Sequence, residues 1–266
     1  MTPTSLGPPP PDPLRRSDVQ HVMGMPMSVL LRGPGARTAE SHGAVAALYD
    51  ELRRLDGVFS TYRPDSEVSR LARGDLTADA CSDEVRDVLA LCERARDDTD
   101  GWFDHERPGP DGIRRLDPTG LVKGWAAERA ARCLAALADV DWLLNAGGDV
   151  VLHSRGEPFR VGVQSPFDDL AVLDVVPLVH GGVATSGAYR RGGHVVDPQT
   201  GRPASGLAGA SVVAPSLLQA DVLATASFAE GPAAIGRLEQ RPGVEGLLLL
   251  PDGRRLTTSG WPGTGA

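Results

Sequence analysis

Cysteine, aromatic side chains and long apolar runs are all scarce in this chain of 266 residues. Its three cysteines, Cys81, Cys92 and Cys133, are odd in number, far apart and without any Cys-x-x-Cys pair. That excludes a disulfide framework and a zinc-ribbon site, and points to reduced thiols. Six histidines run from His21 to His194 with no i, i+4 pair, so a helical two-histidine metal motif is excluded as well. Basic residues are in the minority, 27 Lys and Arg against 35 Asp and Glu, for a net charge of −8. A polyanion-binding surface needs the opposite balance, which sets nucleic acid aside as a partner. The longest apolar run, Leu247 to Leu250, is strand-sized, so no membrane-spanning helix is expected. The opening residues carry Pro8 to Pro11 and then Arg15 and Arg16, with no apolar signal region. Residues 1–20 are therefore expected to form a disordered Pro-rich leader, 21–260 one domain, and the protein to be soluble and cytoplasmic.

What is present is first a set of helical periodicities. Val45, Leu48, Tyr49, Leu52, Leu55 and Phe59 recur at helical spacing after a strand expected over Val22 to Leu31. Ser82 reads as an N-cap followed by Asp83 and Glu84, opening a helix that Gly101 would close. An Ala-rich helix is expected from about Lys123 to Leu137, entered through a Gly-containing loop. The second half changes to short strands, Trp142 to Leu144, Val150 to His153, Phe159 to Gln164 and Val172 to Val179. Helices near Leu217 to Ala229 and Ala233 to Glu239 precede a hairpin around Pro251-Asp252-Gly253. Strands mixed with helices, without regular βαβ alternation, give an α+β fold of mixed or antiparallel sheets with packed helices.

Several segments could carry chemistry. Asp221 and Thr225 stand four residues apart in an apolar helix, so their oxygens share one face and suit a Mg²⁺ ion. A surface Asp and a Thr bonded to its own helix would leave the same pattern. Asp117 through Gly124 sets a carboxylate, the Gly120 carbonyl and Lys123 at a helix mouth, which suits a phosphate-bearing ligand or an ordinary capped turn. Asn145-Ala146-Gly147-Gly148-Asp149 would let backbone approach a ligand, or be a turn only. Thr185-Ser186-Gly187 and His194 to Gly201 concentrate hydroxyls and an imidazole in what reads as site-facing loop. Ser186 lacks the Gly-x-Ser-x-Gly elbow, so a hydrolase triad is not indicated. Phe59 to Glu67 offers Tyr62 and Arg63, either to stack on and pair with a nucleotide or to solvate a helix end.

Taken in order, these segments resemble the ApbE family, the FAD:protein FMN transferases, over about Val22 to Leu256. The matching pieces are Met23-Gly24, Phe59 to Tyr62 with Ser66 to Ser69, Gly101 to Asp104, Asp117 to Gly124, Asn145 to Asp149, Thr185 to Gly187, His194 to Gly201 and Ala220 to Ala226. The resemblance implies a single T-fold-like unit that moves FMN from FAD to a Ser or Thr hydroxyl of an acceptor protein with Mg²⁺, releasing AMP. It implies that Asp221, Thr225 and the Gly120 carbonyl hold the ion. Met23, Tyr62, Trp102, Phe103, Asp104, Asp117, Lys123, Ser186 and His194 would face FAD, and Asp221 and His194 would take the catalytic roles. Met25 where Thr is common, Pro118-Thr119 for a frequent Leu-Gly, and a short Asp104 to Asp117 stretch depart from the pattern. An FAD pyrophosphatase and a flavin-binding module without turnover are the alternatives.

Overall fold

The structure is a computed structural model that describes residues 14–108, 114–168, 170–187 and 195–265. It opens on a hairpin of β1 (Arg15–Val22) and β2 (Met25–Arg32), paired in register from Arg15↔Arg32 to Val22↔Met25. The two-residue turn, Met23 and Gly24, takes φ of 54° and 71°, the double positive φ that matches the twist of paired strands. Arg15–Gln20 thus belong to a strand and not to the expected leader, of which residues 1–13 lie outside the described residues. Arg15–Gln20 pair with the half-buried strand β2, and the Tyr49 hydroxyl anchors them through the Asp18 carbonyl.

Then come α1 (Ala39–Phe59), α2 (Glu67–Arg73), α3 (Asp83–Asp98), a small hairpin of β3 (Glu106–Pro108) and β4 (Arg114–Leu116), and α4 (Thr119–Ala135). The expected Ser82 cap is in place, accepting from the Val85 N–H ahead of α3, and Thr38 accepts from the Ser41 N–H ahead of α1. The apolar stripe of α1 is fully buried at Leu48, Tyr49, Leu52 and Leu55. Burying one such Leu contributes about 1.5–3 kcal/mol. The second half holds β5 (Asp141–Ala146), β6 (Asp149–His153), β7 (Phe159–Gln164), β8 (Val172–Leu178), β9 (His180–Gly187), β10 (Gly209–Ala214), α5 (Leu217–Glu230), α6 (Ala234–Glu239), β11 (Glu245–Leu249) and β12 (Arg255–Thr257).

Eight strands form one antiparallel sheet in the order β1-β2-β5-β6-β9-β10-β11-β12, and β7 and β8 form a separate hairpin. The expected α+β class holds. Period-two alternation divides the sheet between two cores. Val151, Ala184, Ala210 and Val212 point to the core built with α1, α3, α4 and α5, while Val150, Leu152, Val183 and Val213 pack with Phe159, Val161 and Val176 of the β7–β8 hairpin. The chain's last described residues lie against that hairpin: the Trp261 indole donates to Asp174 and the Thr264 N–H to the Val175 carbonyl. Among the described residues no helix is long and apolar enough to cross a membrane.

Candidate active site

Helix α5 starts where Ser216 accepts from the Gln219 N–H, and it places Asp221 and Thr225 on one face as their spacing requires. Asp221 is 3% exposed, although it is a carboxylate. Its Oδ2 accepts from the Gly124 N–H at 3.0 Å, and its Oδ1 lies 3.4 Å from Lys123 Nζ. Gly124 is there because nothing larger fits. A Cβ at that position would stand 2.9 Å from the Asp221 Cβ and 3.1 Å from the Leu217 carbonyl, so glycine sets how closely α4 and α5 approach.

The expected helix from Lys123 begins earlier, at Thr119, which puts Gly120 inside the first turn of α4 and not in a flexible loop. The Asp117 carboxylate accepts from the Thr119 N–H at 3.1 Å and so starts the helix, while its own N–H donates to the His105 carbonyl. A carboxylate cap offsets Pro118, which has no N–H to give and made the entrance read as loop. An α-helix sends the Gly124 N–H to the Gly120 carbonyl, and here that N–H also serves Asp221. A Cβ on Gly120 would lie 3.4 Å from Phe103 Cε2 and 3.9 Å from Thr225 Cγ2, so Gly120, Phe103 and Thr225 are neighbours.

Thr185, Ser186 and Gly187 were expected in a loop and instead end strand β9. Small hydroxylated residues suit a strand covered on one side by a helix. The Ser186 hydroxyl is 3.3 Å from that of Thr225, and the Thr185 hydroxyl 2.9 Å from that of Ser211. Gly147 and Gly148 make the two-residue turn from β5 to β6 with φ of 65° and 112°. Asp149 follows as the first residue of β6. Its carboxylate is 2% exposed, accepts from the Thr185 N–H at 3.0 Å and forms an ion pair with Lys123 Nζ. Sequence reasoning treated Asp149 only as the end of a glycine turn. A charged residue opening an otherwise apolar strand, Asp149-Val150-Val151-Leu152, was the available signal.

One ammonium therefore serves two buried carboxylates, and the imbalance shows in the titration of Asp221. Burial pushes its pKa up to about 7 and the Asp149 charge adds to that, against the opposing pull of Lys123 and the Gly124 N–H. Among the described residues no group of three or more His, Cys, Asp or Glu side chains forms a metal cage. The Thr225 and Ser186 hydroxyls meet beside the first turn of α4, one turn of α5 along from Asp221.

Trp102 and Asp104 line a cavity of about 230 Å³ with Arg96, Gly101, Arg114 and Gln199, which brings two of the matched motifs together. Asp104 accepts from the Glu106 N–H at 2.9 Å and pairs with Arg114, and Phe103 is buried between this cavity and Gly120. Tyr62 stands 96% exposed in the turn after α1, outside the group of side chains that touch around Asp221. Met23 occupies the β1–β2 turn, next to the strand residue Met25 whose sulfur packs on Gly147. His194 lies outside the described residues.

The model of the ApbE family matches residues 23–106 and 110–248. The chain belongs to the ApbE family. An FAD:protein FMN transferase of Escherichia coli K12 is 34% identical over 158 residues, 54% of this chain and 44% of that protein. One from Salmonella typhimurium is 31% identical over 156 residues, 54% and 45% respectively, so the chain spans about half the length of these curated relatives. Another, from Haemophilus influenzae, is 25% identical over 272 residues and 79% of each chain. The fold is that of the solved ApbE protein of Thermotoga maritima, TM-score 0.78 at 20% identity over 92% of this chain and 97% of that one. The flavin transferase ApbE of Vibrio cholerae superposes with TM-score 0.77 at 21% identity over 93% and 98%.

Proposed function

We propose that this chain transfers FMN from FAD to a Ser or Thr hydroxyl of an acceptor protein, with AMP as the other product. Support comes from the relatives named FAD:protein FMN transferase and, in the molecule itself, from the meeting of Asp221, Thr225, Ser186, Gly120 and Lys123 across α4, α5 and β9. That meeting carries the reading. In the reaction the acceptor oxygen forms a bond to the FMN phosphorus, the bond from that phosphorus to the bridging oxygen of the diphosphate breaks, and the hydroxyl proton is given up. Two negatively charged phosphates must be held while this happens.

The donor set fits Mg²⁺, which takes hard oxygen ligands and few of them from protein. Asp221, Thr225 and the Gly120 carbonyl would hold the ion, and Ser186 stands next to Thr225. The two buried carboxylates facing one Lys123 leave room for further positive charge, as the raised pKa of Asp221 indicates. When bound, Mg²⁺ supplies neutralisation of the diphosphate and of the AMP leaving group. Lys123 holds Asp149 and Asp221 in place and adds its own charge on the phosphate side. Asp149, fixed by the Thr185 N–H, keeps that ammonium oriented. Asp221 also takes part in accepting the hydroxyl proton, a role shared with His194 in this proposal. Trp102 and Asp104 would contact FAD from the cavity they line, and Phe103 and Asp117 from beside the first turn of α4.

The test is to mix purified protein with FAD, Mg²⁺ and candidate acceptors, following AMP by chromatography and the acceptor by mass spectrometry. Mg²⁺-dependent AMP release with an acceptor gaining the mass of FMN less water supports the transferase. AMP with free FMN alone makes it a pyrophosphatase, and FAD binding with no AMP makes it a carrier.

A further inference from the structure

Away from this site, the far ends of β6 and β9 bring His153 and His180 directly opposite one another in the antiparallel register. Their Nδ1 atoms share a hydrogen bond at 3.5 Å, one ring donating to the other, with the rings at 83° and centroids 5.7 Å apart; a bound ion would replace the shared proton. His153 is half-buried and His180 exposed, so the space in front of both nitrogens opens to solvent. Two nitrogens bound at about 2.1 Å around a tetrahedral ion stand about 3.4 Å apart, which is the separation found here. Trp142 continues the row on β5, with its ring centroid 6.1 Å from that of His153. The i, i+4 rule that excluded a helical two-histidine motif does not apply across strands, where the partners are 27 residues apart in sequence.

We infer that His153 and His180 form a two-imidazole site for a divalent ion of the copper-to-zinc end of the first transition series, its remaining ligands being water. Such ions prefer imidazole nitrogen, whereas Mg²⁺ prefers oxygen, so the two sites select different metals. They are also separate in space. Three residues of β6 lie between His153 and Asp149, a separation of about 13 Å along the strand. Chelation ties β6 to β9, the strands whose other ends carry Asp149 and Ser186.

The experiment titrates Cu²⁺ into the untagged full chain in excess Mg²⁺, following tryptophan fluorescence and the electron paramagnetic resonance of the bound ion. One equivalent binds, quenches the emission of Trp142 and shows hyperfine coupling to two imidazole nitrogens; Trp142→Phe removes most of the quenching. His153→Ala and His180→Ala each weaken binding by on the order of a hundredfold, since either leaves a single ligand where two were preset. The double variant loses less than the sum of the two single losses, because most of the chelate advantage is already gone in either one. Metal-free melting curves are recorded for each variant, and His180→Ala, at the exposed position, matches the parent. The inference is overturned if either single variant keeps the parent's affinity and spectrum, or if Cu²⁺ in the parent is coordinated by one nitrogen or spread over several weak sites.

Discussion

Two clusters of charge in this molecule are built on opposite terms. Between α1, α3 and α4, Arg54 bridges Glu51 and Glu84 at 2.8 Å each, and Arg129 reaches the same two carboxylates at 2.8 and 2.9 Å while lying over the Trp125 ring. Two cations face two anions, and both guanidinium groups are well exposed. Between α4, α5 and β6, one Lys123 faces Asp149 and Asp221, both almost sealed from water. The first cluster is complete in itself. The second removes two carboxylates from solvent with Lys123 as their one cationic partner among the described residues, an arrangement that costs folding free energy. Stability alone would favour apolar side chains there.

The comparison can be broken most severely at Asp221. Asp221→Ala is expected to reduce Mg²⁺-dependent AMP release by about 10³-fold, while the urea midpoint stays level or rises because a buried carboxylate has been removed. A loss of activity that tracked unfolding would instead make Asp221 structural. Next in size is Lys123→Met, which leaves Asp149 and Asp221 uncompensated and should cost about 3 kcal/mol in urea denaturation. An unchanged midpoint would show that the carboxylates take up protons at no cost. Gly124→Ala forces α4 and α5 apart against backbone at Leu217, for about 1–3 kcal/mol, with a lower Tm and weakened AMP release together. The smallest effect belongs to the outer cluster. Glu84→Gln should cost at most about 1 kcal/mol, and less in high salt.

The outer cluster also has its own pH window. Hydrogen bonds from Arg54 and Arg129 hold Glu51 below its ordinary value, at about 2. Since its folded pKa lies below the unfolded one of about 4.5, the stabilisation is present in full above that value and disappears as pH falls toward 2. Glu51→Gln should therefore lower stability at neutral pH, flatten the acid side of the stability curve over that interval, and bring variant and parent together as pH falls toward 2.

Much of the fold could be read from residues because local signals and tertiary packing agree in α1, α3, α5, α6 and β7. Caps at Ser82 and apolar periodicity from Val45 to Phe59 act within a few residues. Strands β9 and β10 could not be read so easily. Their sequences, His180–Gly187 and Gly209–Ala214, are rich in Gly, Ser and Ala, and they become strands through pairing with each other and cover from α5. Within the site, Asp221 and Thr225 were legible because the helix period alone puts them side by side. Asp149 was not, since its partner Lys123 sits on a helix 26 residues earlier and only the packed structure shows the pair. Tyr62 could be matched to a motif, yet its sequence context held no information on exposure, and the structure turns it to solvent.

The hydrogen bond from Gly124 to Asp221 spans 97 residues of sequence. Contacts of such long range form late, after the entropy of closing the intervening loop has been met by other elements. A nascent or partly refolded chain can therefore hold its first hairpin and α1 while having no competent pocket. Refolding followed by Trp emission should run ahead of the recovery of the proposed Mg²⁺-dependent AMP release.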